Sequence, residues 1–176
     1  NPMPFTDNNL TGKSIKFNPP DIINFQQHDQ IGLVLTKNDL SIDTFFKKKG
    51  VPFKGTIFFK EEIDVNKSSV VNNFEKEIMH SLADESPMNK LIHNIDQLVN
   101  WAKNAKVNKV IFPYETVGNE LLNIKTLIDK LKDVNITPIF FMRDWDRYAF
   151  PFANKGFFQF KKKIPYLLQK NNLTKK

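Results

Sequence analysis

Four short apolar runs in this chain each end in polar side chains of chemically useful type. TKNDLS follows IGLVL, KEEID follows GTIFF, PYETVG follows KVIF, and RDWDR follows TPIFFM. Asp39, Glu61 and Glu62 would face one another if the first two runs lay side by side, and paired carboxylates can share acid and base duties. The same acids suit helix caps and loop solvation, which is the plainer assignment. Tyr114 and Glu115 carry the same double reading after the third run. In TVGNEL, Thr116, Gly118 and the backbone N–H groups of a helix start form a candidate anion site. A permissive turn at Gly118, capped by Thr116 or Asn119, explains that stretch equally well.

Other chemistries are missing from the sequence. There is no cysteine, so disulfides and thiolate metal sites are excluded. His28, His80 and His93 have no partner at metal-ligand spacing and read as surface residues. No serine stands in a nucleophile-elbow context, so nucleophilic catalysis has no support. The six glycines cannot make a dinucleotide fingerprint or a P-loop.

The elements that must position these clusters follow from the apolar pattern. IGLVL (31–35), GTIFFK (55–60), KVIFPY (109–114) and TPIFFM (137–142) read as buried strands. Asp39 or Ser41 caps a short helix that ends near Gly50. Val70, Phe74, Ile78 and Leu82 recur every four residues and predict a second helix with that face in the core. A third helix is expected from about Met88 to Asn104, with Leu91, Ile95, Leu98 and Ala102 on one face. No strand is expected between these two helices. Leu121, Ile124, Ile128 and Leu131 mark a fourth helix. Strands alternating with amphipathic helices predict an α/β fold, a three-layer Rossmann-like parallel sheet of about four to five strands with helices on both faces. Ligands in such sheets bind beyond the carboxyl ends of the strands, where strand order reverses.

Residues 1–30, with four prolines and no sustained apolar period, read as an extended arm or linker, with Phe5, Phe17 and Phe25 pinning it to the domain. The domain is expected over 31–170 and a flexible basic tail over 171–176. The chain begins at Asn1 rather than Met, which suggests a piece of a longer or processed protein. No apolar run approaches the roughly 20 residues of a membrane span, so no membrane partner is expected, and a cytoplasmic location follows from the lack of cysteine and of a signal peptide. The net charge is +7, yet all but two of the 26 basic residues are lysine. Readers of bases and phosphates favour arginine's planar fork, so the excess reads first as solvated surface.

Both arginines lie in RDWDRYAFPFANKGFFQFKKKIP, Arg143 to Pro165. Phe157, Phe160, Ile164 and Leu167 fall on one helical face, which predicts burial of that face. Trp145, Arg147, Lys155, Lys161, Lys162 and Lys163 then remain for docking another domain or for contacting nucleic acid.

Taken in order, these motifs resemble the photolyase/cryptochrome family over roughly residues 31–165. IGLVLTKNDLSIDTFF is similar to the family's opening strand and turn, with Asp39, Leu40 and Asp43 in place and Ser41 where an arginine is expected. GTIFFKEEID resembles the second strand and its acidic exit. VVNNFEKEIMHSLAD, VNWAKNAKVNKVIFPYE and LIDKLKDVNITPIFF resemble the units that follow. Trp145 to Pro165 looks like the ending of the α/β module in photolyase-related flavoproteins, with Phe152 where a histidine is expected. The resemblance implies an accessory α/β domain that packs on an FAD-binding helical domain of the same parent protein, which would bring DNA contact through that domain. FAD would sit only in that helical domain. This domain would be a candidate for an antenna chromophore (a folate, a deazaflavin or a flavin) lined by Thr36, Asn38, Asp39, Glu61, Tyr114, Glu115, Gly118 and Arg143. Catalysis would belong to the parent, a light-dependent DNA photolyase, rather than to this chain. Two further readings are a stand-alone nucleotide or phosphate-ligand binder using TVGNEL, and a DNA-contacting module using Lys155 and Lys161–Lys163.

Overall fold

The computed structural model describes residues 20, 23–26, 28–37, 39–59, 68–84, 90–114 and 124–173. They fall into two compact units, one within Pro20–Met142 and one from Arg143 onward. The first is a three-layer Rossmann-like α/β sandwich, as the alternating pattern requires. Its strands are β1 (Ile31–Thr36), β2 (Gly55–Phe59), β3 (Lys90–Ile92), β4 (Lys109–Pro113) and β5 (Thr137–Phe141). All pair in parallel, in the order β3-β2-β1-β4-β5. Helices α1 (Ile42–Lys48) and α2 (Ser69–Asp84) pack on one face, and α3 (Ile95–Asn104) and α4 (Ile124–Lys132) on the other.

Strand periodicity sorts the core into two layers. Leu33, Leu35, Phe58 and Ile111 point towards α1 and α2, where they meet Ile42, Phe46 and Met79. Val34, Ile57, Phe59, Val110 and Phe112 point the other way, towards Leu98, Trp101, Leu127 and Leu131. Phe46 is the hub of the first layer, with ring centroids of Phe25, Phe45, Phe53 and Phe141 within 4.7 to 5.9 Å. Phe25 thus ties the segment before β1 to the core.

In the second layer Gly32 and Gly55 stand side by side in register, and the indole of Trp101 lies over both. A Cβ added at Gly32 would come 2.5 Å from the Trp101 ring, and one at Gly55 would come 3.3 Å from it. At Gly32 only hydrogen leaves room for the ring, and at Gly55 a side chain would crowd it.

The stretch from Met88 is not continuous helix. Lys90–Ile92 forms the edge strand β3, paired to β2 through Phe59↔Ile92. The reason lies in HNIDQ. The Asn94 side chain accepts the Gln97 backbone N–H at 2.9 Å, while the Gln97 side chain accepts the His93 N–H at 2.8 Å. These reciprocal caps fix the helix start at Ile95 and leave 90–92 extended. Leu91 therefore belongs to a strand, and Trp101 takes a core place on α3 beside Leu98 and Ala102.

The α2 stripe is also corrected. Met79 is buried, but Val70 and Phe74 are 75% and 63% exposed. At about 100° per residue Val70 and Phe74 lie about 180° and 140° round the helix from Met79, so the first half of the stripe faces away from the sheet.

Two prolines sit in strands with different consequences. Thr137 donates its N–H to the Asn108 carbonyl, so residues 137, 139 and 141 face β4 while Pro138 faces the open edge, where a missing donor costs nothing. Pro113 instead faces β1. Lys109 donates towards the β1 side, to Gln30, and Tyr114 towards β5, to Phe141. Alternation then points position 113 at β1, where proline has no N–H to offer the Val34 carbonyl. The β1–β4 ladder accordingly ends at Leu33↔Ile111, while β1–β2 runs on to Thr36↔Phe59.

At the other end of the sheet Asp29 is buried. Its Oδ2 accepts the Gln26 N–H at 2.8 Å and the Lys109 ammonium at 2.7 Å. The Gln26 hydrogen bond first, then Lys109, hold its carboxyl below the usual aspartate range.

Replacing Gly32 by Ala should destabilise the fold by about 1–3 kcal/mol through overpacking, and Gly55→Ala by less. In a Trp101→Phe background, which removes the far edge of the indole, the Gly32→Ala penalty should shrink. Urea midpoints across that double-mutant cycle are the measurement. Because the Asp29 pKa is lower folded than unfolded, its contribution is present above the unfolded value and is lost as pH falls through the folded one. Asp29→Asn should therefore flatten the acid limb of the stability–pH profile while leaving its alkaline limb unchanged.

Candidate functional site

Strand order 3-2-1-4-5 reverses direction between β1 and β4, which go to opposite neighbours. That is the switch point at which parallel sheets hold ligands. Thr36, the last residue of β1, and Tyr114, directly after β4, stand at the two sides of it. Thr36 is buried and Tyr114 half-buried. Pro113 ends the pairing of these two strands on the way to this end, so the backbone at the switch point is not committed to a full ladder.

The exit of β1 is a tight turn. Asp39 donates its N–H to the Thr36 carbonyl at 3.0 Å. The Asp39 carboxylate then accepts the Ser41 N–H at 3.3 Å and the Ser41 hydroxyl at 3.4 Å. Asp39 thus organises the approach to α1, whereas Ser41 makes no side-chain cap bond of its own. The capping role is built and visible, and this carboxylate reaches the site through its turn. Asp43, in the first turn of α1, pairs with Lys47 at 2.9 Å. Partial burial works to raise its pKa, but the hydrogen bonds from Lys47 and Thr44 outweigh it and hold the carboxyl below its usual range.

Lys37 was not among the expected site residues. It follows β1 directly and pairs with Glu75 on α2 at 3.7 Å. The pair ties the first turns of α2 to the strand end and brings a cation there. The lysine is visible in TKND, but its partner 38 residues away is not. Val70, Val71 and Phe74 are exposed on the same first turns of α2, with Val70 and Phe74 on the side of the helix away from Met79.

The structure therefore brings Thr36, Asp39 and Tyr114 to one end of one sheet, as the strand-end reading requires. Asn38, Glu61, Glu115 and Gly118 lie outside the described residues, as do Glu62, Thr116 and the TVGNEL helix start. Arg143 opens the second unit, just before α5 (Asp144–Ala149). Among the described residues no group of three or more His, Asp or Glu could hold a metal ion. No described helix is long and apolar enough to cross a membrane.

The second unit continues from α5 into a 3-10 helix (Phe150–Lys155), then α6 (Phe157–Lys161) and α7 (Ile164–Lys170). Gly156, at φ +76°, provides the turn into α6 that a side chain would disfavour. The expected single face of Phe157, Phe160, Ile164 and Leu167 is split. Pro165 clashes with a helical carbonyl four residues earlier, at Lys161, and α6 stops there. Leu167 is buried and Phe160 and Ile164 half-buried, but Phe157 is 66% exposed and its neighbour Phe158 79%. Trp145 and Arg147 are half-buried on α5, and Lys161, Lys162 and Lys163 are exposed.

No protein-family model matches this chain, and no curated protein matches it in sequence.

Asp39→Ala should cost about 1 kcal/mol of stability by removing the acceptor of the Ser41 bonds. Asp39→Asn, which keeps an acceptor oxygen, should cost less. Chemical denaturation of the two variants side by side reads the difference.

Proposed function

We propose that this chain is the accessory α/β domain of a photolyase-like flavoprotein. It packs on an FAD-binding helical domain of the same parent protein and holds an antenna chromophore at the carboxyl ends of its strands. The observation that carries this reading is the switch point between β1 and β4, flanked by Thr36 and Tyr114. A planar chromophore needs an apolar bed and a few fixed polar groups. Tyr114, half-buried directly after β4, offers an aromatic ring at this end of the sheet, and the Asp39 turn and Lys37–Glu75 pair supply polar groups held in place. The ordered resemblance of the strand–helix units to the photolyase/cryptochrome family supplies the chemical class: a folate, a deazaflavin or a flavin. Light absorbed here would pass to the FAD of the helical domain, where the parent's DNA chemistry would take place.

Fluorescence titration of the purified chain with a reduced folate, a deazaflavin, flavin mononucleotide and ATP tests the reading. One of the three chromophores should bind with micromolar or tighter affinity, and Tyr114→Ala should weaken it by about tenfold, as expected for a lining aromatic. Binding of none of the three would overturn the antenna assignment. Binding of ATP alone, competed by inorganic phosphate, would replace it with the nucleotide-binding reading.

A further inference from the structure

From Arg143 to Lys176 the sequence has nine basic and two acidic residues, a net +7 that equals that of the whole chain. Charge is therefore segregated into the second unit rather than spread over a solvated surface. Within it the lysines are not equivalent. Lys170 lies over the Tyr148 ring at 4.0 Å and near Tyr166, and Lys163 lies over Phe152 at 5.5 Å, so both are engaged in cation–π contacts. Lys161 and Lys162 are exposed at the end of α6. Phe157 and Phe158, which open the same short helix, are the apolar counterpart.

Helical spacing places Lys161 and Lys162 one turn beyond the two phenylalanines, on their side of the helix. One turn is about 5.4 Å along the axis. That offset suits an apolar tip sunk to the acyl boundary of a bilayer with ammonium groups at the level of the lipid phosphates. A single-stranded nucleic acid also offers flat apolar groups and phosphates. However, the Phe157 and Phe158 rings meet edge to face at 68°, an arrangement that does not present parallel faces to two successive stacked bases. Bilayer insertion imposes no such condition on ring angle, and phenylalanine carries no polar group that insertion would strip of water.

We propose that the tip of the second unit, Phe157 and Phe158 with Lys161 and Lys162 behind them, attaches this protein peripherally to anionic lipid surfaces. The expectation of no membrane partner rested on the lack of a spanning run, which peripheral attachment does not need. The proposal stands independently of the chromophore reading.

Co-sedimentation of the purified chain with vesicles of phosphatidylcholine alone, and of equimolar phosphatidylcholine and phosphatidylserine, tests it. Binding is expected only to the second, weakening as salt rises. Lys161→Gln with Lys162→Gln should lower the partition coefficient by about 30-fold at low salt. Phe157→Ser with Phe158→Ser should lower it by about tenfold or more without changing net charge. Both pairs are exposed, and far-ultraviolet dichroism confirms that each variant is folded. No binding to phosphatidylserine vesicles, or binding indifferent to the Phe pair, overturns the proposal. So does tight binding of a single-stranded oligonucleotide that needs the Phe pair while vesicles are ignored, which would make the tip a nucleic-acid contact instead.

Discussion

The contact on which the sheet depends is the indole of Trp101 packed against Gly32 and Gly55. Parallel strands with helices on both faces hold a fixed layer spacing, and an indole is too large to fit that spacing above two ordinary side chains. Removing both Cβ atoms at paired positions of β1 and β2 makes a floor for it. The ring then bridges two strands at once and seats α3, the crossover that carries the chain from the β3 edge to the far side of β1. Strand order, and with it the location of the switch point, rests on that crossover being held. Strand weakness from glycine is accepted at these two places because the ring fills the space that the side chains vacate.

A second device, built on Pro113, acts at the opposite end of β1, where that strand meets β4. Central strands tolerate proline poorly because a rung of the ladder is lost. Here the lost rung falls between the two strands whose connections diverge, near their carboxyl ends, where a bound molecule and not a neighbouring strand would be the natural partner. The Asp39 turn closes off the exit of β1 on one side, and the Lys37–Glu75 pair ties α2 down on the other. Together they give the strand end a defined shape, one through a local turn and the other through a pair formed at long range.

Much of this architecture was legible in the sequence, because buried parallel strands write themselves as short apolar runs and the helices between them as amphipathic stretches. The four long strands and the class of sheet follow from that alone. What failed did so for identifiable reasons. The strand Lys90–Ile92 is three residues long, too short to show a period, and the Leu91 it contains continues the α3 stripe in phase. Only the Asn94–Gln97 cap separates them. Val70, Phe74, Ile78 and Leu82 recur every four residues, but a helix has about 3.6 per turn, so the stripe drifts about 40° at each step and its first members turn away from the face that buries Met79. Phe157 was assigned to a buried face by counting through Pro165 as though one helix ran past it. At the candidate site, the placement of Thr36, Asp39 and Tyr114 at strand ends is readable because the strands themselves are. The partnership of Lys37 with Glu75 was not, since a long-range ion pair leaves no trace in local pattern.

Pro138 bears on how this protein behaves in the company of its own copies. Of the backbone positions on β5 that face outward, 138 and 140, proline removes one donor and leaves only that of Phe140. An extended segment arriving along this margin therefore finds too few rungs to add itself to the sheet, although the strand is apolar and would otherwise invite it. The opposite margin, β3, is only three residues long. A five-stranded sheet of strongly apolar strands is thus finite at both margins: growth into fibres by successive strand addition has no adequate template at either.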